Sequence, residues 1–231
     1  MKPTFLLSSK AWMAFAVACF SAVILLTSCS KKNDPQPEPV GEARVRYVNA
    51  VEGSTAQDLY VNDTKKTTTS VAYGGNTDYL IFTSGINLFS SVNAGSTTAN
   101  ASSQQVQVPI GTYLTALYYK KSTGALAIGL LGDDMVAASG KAKVRFVNLN
   151  GFLGANIAVA VTGGANLIPS VPYETVSDYI QVDAGTKFTV SAAGVVTAPS
   201  IDGALQAGKN YTIWIDGTNA TTLTGHVILQ N

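Results

Sequence analysis

The chain has 231 residues, 46% of them hydrophobic and only 13% charged, with a formal net charge of +1. Two cysteines, one histidine and three methionines exclude a multi-cysteine zinc site and a disulfide scaffold. The near-neutral balance offers no basic stripe for nucleic acid, and low charge with ample Val, Ile, Tyr, Phe and Thr argues for a packed core rather than disorder.

Lys2 and Lys10 make a positive start, and Ala11 to Leu26 follows as an uncharged apolar run. Leu26-Thr27-Ser28 then stands directly before Cys29. A bulky apolar residue and two small ones ahead of a cysteine is the spacing of a bacterial lipoprotein signal peptide. Such a leader is cut before the cysteine, whose thiol carries a diacylglycerol, so a folded domain stays at a membrane without a spanning helix. The competing reading is a transmembrane helix, since Ala11 to Ser30 is twenty residues without a charge. Cys19 is a rival lipid site, but it lies inside the apolar run and would leave Phe20 to Leu26 as a greasy mature start. Cleavage after Ser28 leaves Cys29 as the one cysteine and, by removing Lys2 and Lys10, turns the formal charge from +1 to −1.

Residues 30–41, SKKNDPQPEPVG, alternate three prolines with polar residues, which suits an extended tether. CSKKND resembles lipoprotein starts of the Bacteroidetes group, where Lys and acidic residues after the cysteine accompany export to the cell surface. The expected place is therefore the cell envelope, as an outer-membrane lipoprotein that is surface-exposed or faces the periplasm.

The rest of the chain is written twice. Residues 43–49 read ARVRYVN and 142–148 read AKVRFVN. Val71, Tyr73, Asp78, Tyr79 and Gly85 return as Val171, Tyr173, Asp178, Tyr179 and Gly185. The expected division is a leader at 1–28, lipidated Cys29 and a flexible tether at 29–42, a first repeat at 43–137 and a second at 142–231, with Val136 to Lys141 as the joint.

Within each repeat the hydrophobic period is two. Ala43, Val45 and Tyr47 share one face while Arg44 and Arg46 point away, and Val144 and Phe146 stand likewise against Lys143 and Arg145. Further strands are expected at 57–62, 78–83, 86–92, 104–108, 112–119 and 125–131, then at 156–161, 178–182, 187–192, 195–201, 210–216 and 223–229. Glycine turns separate them, and no amphipathic helix follows the leader. The fold class expected is all-β, two tandem Greek-key β-sandwich domains, immunoglobulin-like or transthyretin-like. Tyr113 and Tyr211, each just after a glycine turn, are candidates for a tyrosine corner or for ordinary core tyrosines.

The lipoprotein start, ARVRYVNA, the DYL/DYI step before a glycine turn, and the late GTY or GKNY strand together resemble lipoproteins carrying the domain of unknown function 4397. Leu59-Tyr60-Val61-Asn62-Asp63 fits the extended VYVDG-type strand of that family, while the second copy has AVAVTGG in place of an acidic turn. The resemblance covers nearly all of 43–231 and implies no catalytic residues.

Nothing in the chain reads as an active site. His226 lies in the last strand, without a nucleophile-elbow pattern to serve. Asp133-Asp134 reads as a solvated turn, and no Asp-x-Asp-x-Asp-Gly calcium loop occurs. Gly74-Gly75 and Gly163-Gly164 are turn glycines rather than phosphate loops. Asp78 and Asp178, repeated in both copies, suggest a side-chain bond that closes a loop, or a pair of identical binding sites. No catalytic residue, metal or cofactor is expected.

The candidate ligand-binding residues are Trp214 and Tyr118. Trp214 shares a strand face with Thr212 and Asp216, opposite Tyr211, Ile213 and Ile215, and alternation sends that face toward solvent. An indole between a hydroxyl and a carboxylate suits a sugar platform or a protein contact. The alternative is that Trp214 packs against the other domain or a covering loop. The expected function is a non-enzymatic, lipid-anchored binding or structural module, or else a surface glycan-binding lipoprotein of a polysaccharide-uptake system. Its partners are then the membrane, through acylated Cys29, and a protein or polysaccharide, but not nucleic acid.

Overall fold

The computed structural model describes residues 39–196 and 198–231; the leader, Cys29 and the tether up to residue 38 lie outside the described residues. The first repeat holds β1 (Glu42–Asn49), β2 (Gln57–Val61), β3 (Thr64–Lys65), β4 (Leu80–Thr83), β5 (Gly85–Asn87), β6 (Phe89–Asn93), β7 (Ala99–Ser102), β8 (Val106–Val108), β9 (Tyr113–Lys120) and β10 (Leu126–Gly132). The second holds β11 (Ala142–Asn148), β12 (Ile157–Val161), β13 (Asn166–Val171), β14 (Ile180–Val182), β15 (Lys187–Ala192), β16 (Ser200–Asp202), β17 (Asn210–Asp216) and β18 (Thr224–Leu229). The described residues contain no helix.

Duplication is visible in the sheet order. One sheet of the first repeat runs β10-β9-β1-β4, and its counterpart runs β18-β17-β11-β14. The opposing sheets run β3-β2-β6-β7 and β13-β12-β15-β16, while β5 and β8 form an extra ribbon in the first repeat. In both repeats the opening strand lies parallel to a late one, β1 beside β9 and β11 beside β17. Each pair of sheets encloses its own core, as period-two burial requires. Ala43, Val45 and Tyr47 pack on Leu59, Phe89 and Ala116 in one repeat; Val144 and Phe146 pack on Val159, Phe188 and Ile213 in the other.

The expected strands are present with instructive differences. β3, β7 and β13 are additional edge strands, two or more of whose residues are exposed in each case, so their sequences carry little alternation. Pro169 is accommodated in β13 because that strand is a sheet edge. Between β2 and β3, Asn62 and Asp63 both take positive φ (47° and 61°), the two-residue hairpin for which Asn and Asp are suited. The second copy closes the same hairpin through Gly163 at φ 71°, which is why its acidic turn is gone.

Asn49 and Asn148 are fully buried and do the same work in both copies. Their amides donate to Val71 O (3.1 Å) and Val171 O (3.0 Å), holding the long β3–β4 and β13–β14 connections against the opening strands. The side chains of Asp78 and Asp178, expected to close a loop, are exposed and make no hydrogen bond among the described residues. The closing groups lie one position earlier. Thr77 Oγ1 accepts from Tyr47 N and Ser177 Oγ from Phe146 N, at 3.0 and 2.9 Å.

The paired tyrosines also separate. Arg44 is level with Tyr113, whereas Val144 is level with Tyr211, so the two occupy opposite faces of their strands. Tyr211 is in the core and its hydroxyl accepts from Gln206 N at 3.0 Å, the bond of a tyrosine corner. Tyr113 instead stacks edge-on against Tyr79 on the outer face.

Residues 39–231 form one compact unit, and the reason is a third apolar cluster. Val48, Ala50 and Leu117 come from the outward face of β1 and β9; Val147, Leu149, Trp214 and Ile228 come from the equivalent face of β11, β17 and β18. The two outer faces cover each other. Alternation correctly puts Arg46 and Arg145 outside their own sandwiches, yet both are buried in this seam.

Candidate functional site

The seam collects most of the chemistry-bearing side chains. At its centre lies the Arg145–Asp133 ion pair, with side chains 5% and 0% exposed. Asp133 also accepts from Tyr79 Oη (2.7 Å), Thr115 Oγ1 (2.7 Å) and Gln230 Nε2 (2.6 Å). Arg145 donates further to Gly132 O (2.6 Å) and Thr212 Oγ1 (2.9 Å) and lies over the Tyr179 ring. Arg46, its counterpart in the first repeat, lies over the Tyr79 ring and donates to Leu229 O. Burial, and then the Asp133 carboxylate, drive the Tyr79 phenol well above its ordinary range. The expected solvated turn at Asp133-Asp134 is thus corrected. Asp134 bonds Lys143 Nζ at 2.7 Å, and the Asp133 side chain is fully enclosed, because the opposing repeat covers it.

Trp214 is likewise 0% exposed. Its face of β17 is the one expected, but the other repeat stands over it. His226 stacks on the indole with centroids 3.7 Å apart and planes 5° from parallel, and Tyr73 meets it edge-on. His226, on the edge strand β18, is only 20% exposed at its side chain and its Nε2 lies 3.1 Å from Asp216 Oδ1. Tyr73 Oη donates to Asp216 Oδ2 at 2.5 Å, with its phenol pushed up by burial and by that carboxylate. Tyrosine, carboxylate and imidazole are in place, but no serine or threonine hydroxyl bonds His226 among the described residues. The group is a clamp between repeats, with no nucleophile attached.

Tyr118 is 1% exposed and belongs to the interior of the first sandwich. Its hydroxyl accepts from Asn100 Nδ2 (2.9 Å), and Asn100 also donates to Gln57 Oε1 (3.0 Å). Ser91 Oγ donates to Gln57 as well and meets Tyr47 Oη at 2.5 Å. By strand register the second repeat has Phe146, Ile157, Val190 and Ile215 where the first has Tyr47, Gln57, Ser91 and Tyr118. The same fold therefore stands without this network. In this conformation neither Tyr118 nor Trp214 presents a face to a ligand.

An open surface exists at one rim of the seam. The turn after β1 (Ala50, Val51, Glu52), the β9–β10 hairpin (Lys120 to Gly124), the turn after β11 (Gly151, Phe152) and the end of β17 (Asp216, Gly217) enclose a cleft of about 340 Å³. Clefts between packed units are common ligand sites. Two bonds between the repeats fix its walls: Tyr173 Oη donates to Lys120 O, and Ser122 N donates to Glu174 Oε1 at 2.5 Å. Its floor needs glycine. A Cβ at Gly217 would lie 2.2 Å from Thr222 O, and one at Gly151 would lie 2.7 Å from Tyr173 Oη. Phe152 is 56% exposed at the cleft. Sequence reasoning missed Phe152, since a single aromatic in a glycine turn carries no periodic signal.

Among the described residues, no group of three or more His, Cys, Asp or Glu side chains could hold a metal, and no helix is long and apolar enough to cross a membrane. No curated protein sequence matches the chain. Among solved structures, the Bacillus anthracis TIE protein aligns at 11% identity and a TM-score of 0.24, over 77% of this chain and 34% of its own length. A family 26 carbohydrate-binding module from Eubacterium rectale Amy13K, solved with maltoheptaose, aligns at 14% identity and a TM-score of 0.26, over 80% of this chain and 96% of its own. The chain thus spans about a third of the TIE protein, and both superpositions are too loose to bear on fold or ligand. Residues 43–155 match the family model described as a domain of unknown function, DUF4397. That match takes in the whole first repeat and runs through β11, and it places a DUF4397 domain in this chain.

Proposed function

We propose that this protein is a lipid-anchored cell-envelope module without catalytic activity, in which two β-sandwiches of DUF4397 type lock face to face into one rigid binding or spacing unit. The observation that carries the reading is the seam. The residues best suited to chemistry, Asp133, Arg145, His226, Asp216 and Tyr73, bond one another and hold the repeats together. What they leave for a partner is the rim cleft and the outer loops. The anchor is Cys29, preceded by Leu26-Thr27-Ser28, and the proline-containing tether spaces the folded part from an outer-membrane surface.

Metabolic labelling with palmitate tests the anchor. The wild-type chain and Cys19→Ser incorporate label, and Cys29→Ser does not. An unlabelled wild-type chain that resists carbonate extraction would point instead to a transmembrane Ala11–Ser30. A second reading, a surface glycan-binding lipoprotein, is favoured by one observation: Phe152 stands exposed beside carboxylates and ammonium groups, the arrangement an aromatic sugar platform needs.

A further inference from the structure

We infer that the rim cleft binds a short segment of an acidic saccharide, one that carries uronate carboxylates; the inference rests on the glycan-binding reading and names its ligand class. Three features of the cleft set the chemistry. The exposed ring of Phe152 offers an apolar face of the kind that the C–H face of a pyranose covers. Lys120 and Lys121 both line the cleft, are exposed, and form no ion pair among the described residues, so two ammonium groups are free to meet anionic groups. Glu52 and Asp216 line the same cleft.

That mixture selects among anions. Asp216 is only 5% exposed at its side chain and is taken up by Tyr73 and His226, so Glu52, which is exposed, is the carboxylate a ligand meets. The Glu52 carboxylate accepts hydrogen bonds, and a ligand made only of phosphate has none to give. A phosphate-rich ligand would also meet that carboxylate at close range, which is repulsive. A uronate sugar carries hydroxyl donors for Glu52 and its own carboxylate for the lysines. The walls are preset: the backbone of Lys120 is held by Tyr173 and that of Ser122 by Glu174, so binding orders the lysine side chains but not the hairpin. Both holding residues come from the second repeat and the hairpin comes from the first, so the site exists only when the seam is closed.

The test is electrophoresis of the full chain, solubilised in mild detergent, through native gels containing polygalacturonate, dextran or no polymer. Polygalacturonate should retard the wild type, and dextran should not. Phe152→Ala and the double variant Lys120→Gln/Lys121→Gln should each weaken retardation about tenfold or more. The double variant Lys66→Gln/Lys209→Gln, which removes equal charge outside the cleft, should behave as wild type. Equal retardation by dextran and polygalacturonate would keep the glycan-binding reading and overturn the acidic ligand. Retardation by neither polymer would overturn both. Equal weakening by the two lysine pairs would mean diffuse charge attraction and would also overturn the site.

Discussion

Asp133→Ala tests the seam most directly. The substitution removes a carboxylate whose two oxygens take bonds from Arg145, Gln230, Tyr79 and Thr115, and leaves the Arg145 guanidinium enclosed without a counter-charge. Breaking a buried pair by removing one partner costs about 3–5 kcal/mol, mostly from the charge left behind. For a protein of this size each kcal/mol moves the melting temperature by about 2–4 °C, so calorimetry should show a drop of about 6–20 °C. Because the lost Arg145 and Gln230 contacts join the repeats while each repeat keeps its own core, the single transition should also separate toward two. A second variant isolates the cause. Arg145→Met added to Asp133→Ala removes the stranded charge and should recover at least about 1–2 kcal/mol, since apolar replacements of buried ion pairs are often neutral. A loss below about 1 kcal/mol for Asp133→Ala, or no recovery in the double variant, would refute the seam as an ion-paired, load-sharing interface.

Two further expectations follow from burial and from titration. With the leader absent, Trp214 is the remaining tryptophan, and its emission should be blue-shifted and poorly quenched by acrylamide until the repeats are unfolded; red-shifted, readily quenched emission in the folded chain would mean the outer faces do not meet. Burial raises the Asp58 carboxyl, but bonds from Lys65, Thr67 and Ser70 outweigh it, and Lys143 with the Val136 amide lowers Asp134, so both folded values lie below 3.8. Their stabilising effect is present above the unfolded carboxylate range and is lost as pH falls through the lowered folded values. The urea midpoint should therefore decline below about pH 4, and a flat or rising midpoint there would refute the carboxylate bonding.

The duplication, the all-β class and the inward faces are readable from the order of amino acids alone. Two near-identical openings with alternating residues dictate two strands whose Ala43/Val45/Tyr47 and Val144/Phe146 faces must be dry, because a one-residue shift would send every one of them into water. The regular strands were legible for that reason. The edge strands β3, β7 and β13, with both faces partly wet, were not.

The cover over the outward faces, by contrast, comes only from how the folded repeats pack. Alternation separates the two sides of a strand; it does not say whether the second side meets water or protein. Trp214, Arg46, Arg145 and Asp133 all lie outside their own sandwiches as their positions imply, and all are buried, because the other repeat supplies the cover. Partners across the seam, such as Tyr73 for Asp216 or Gln230 for Asp133, lie 143 and 97 residues apart. Pairing over such distances is set by how two finished surfaces fit, and no local period along the chain encodes it.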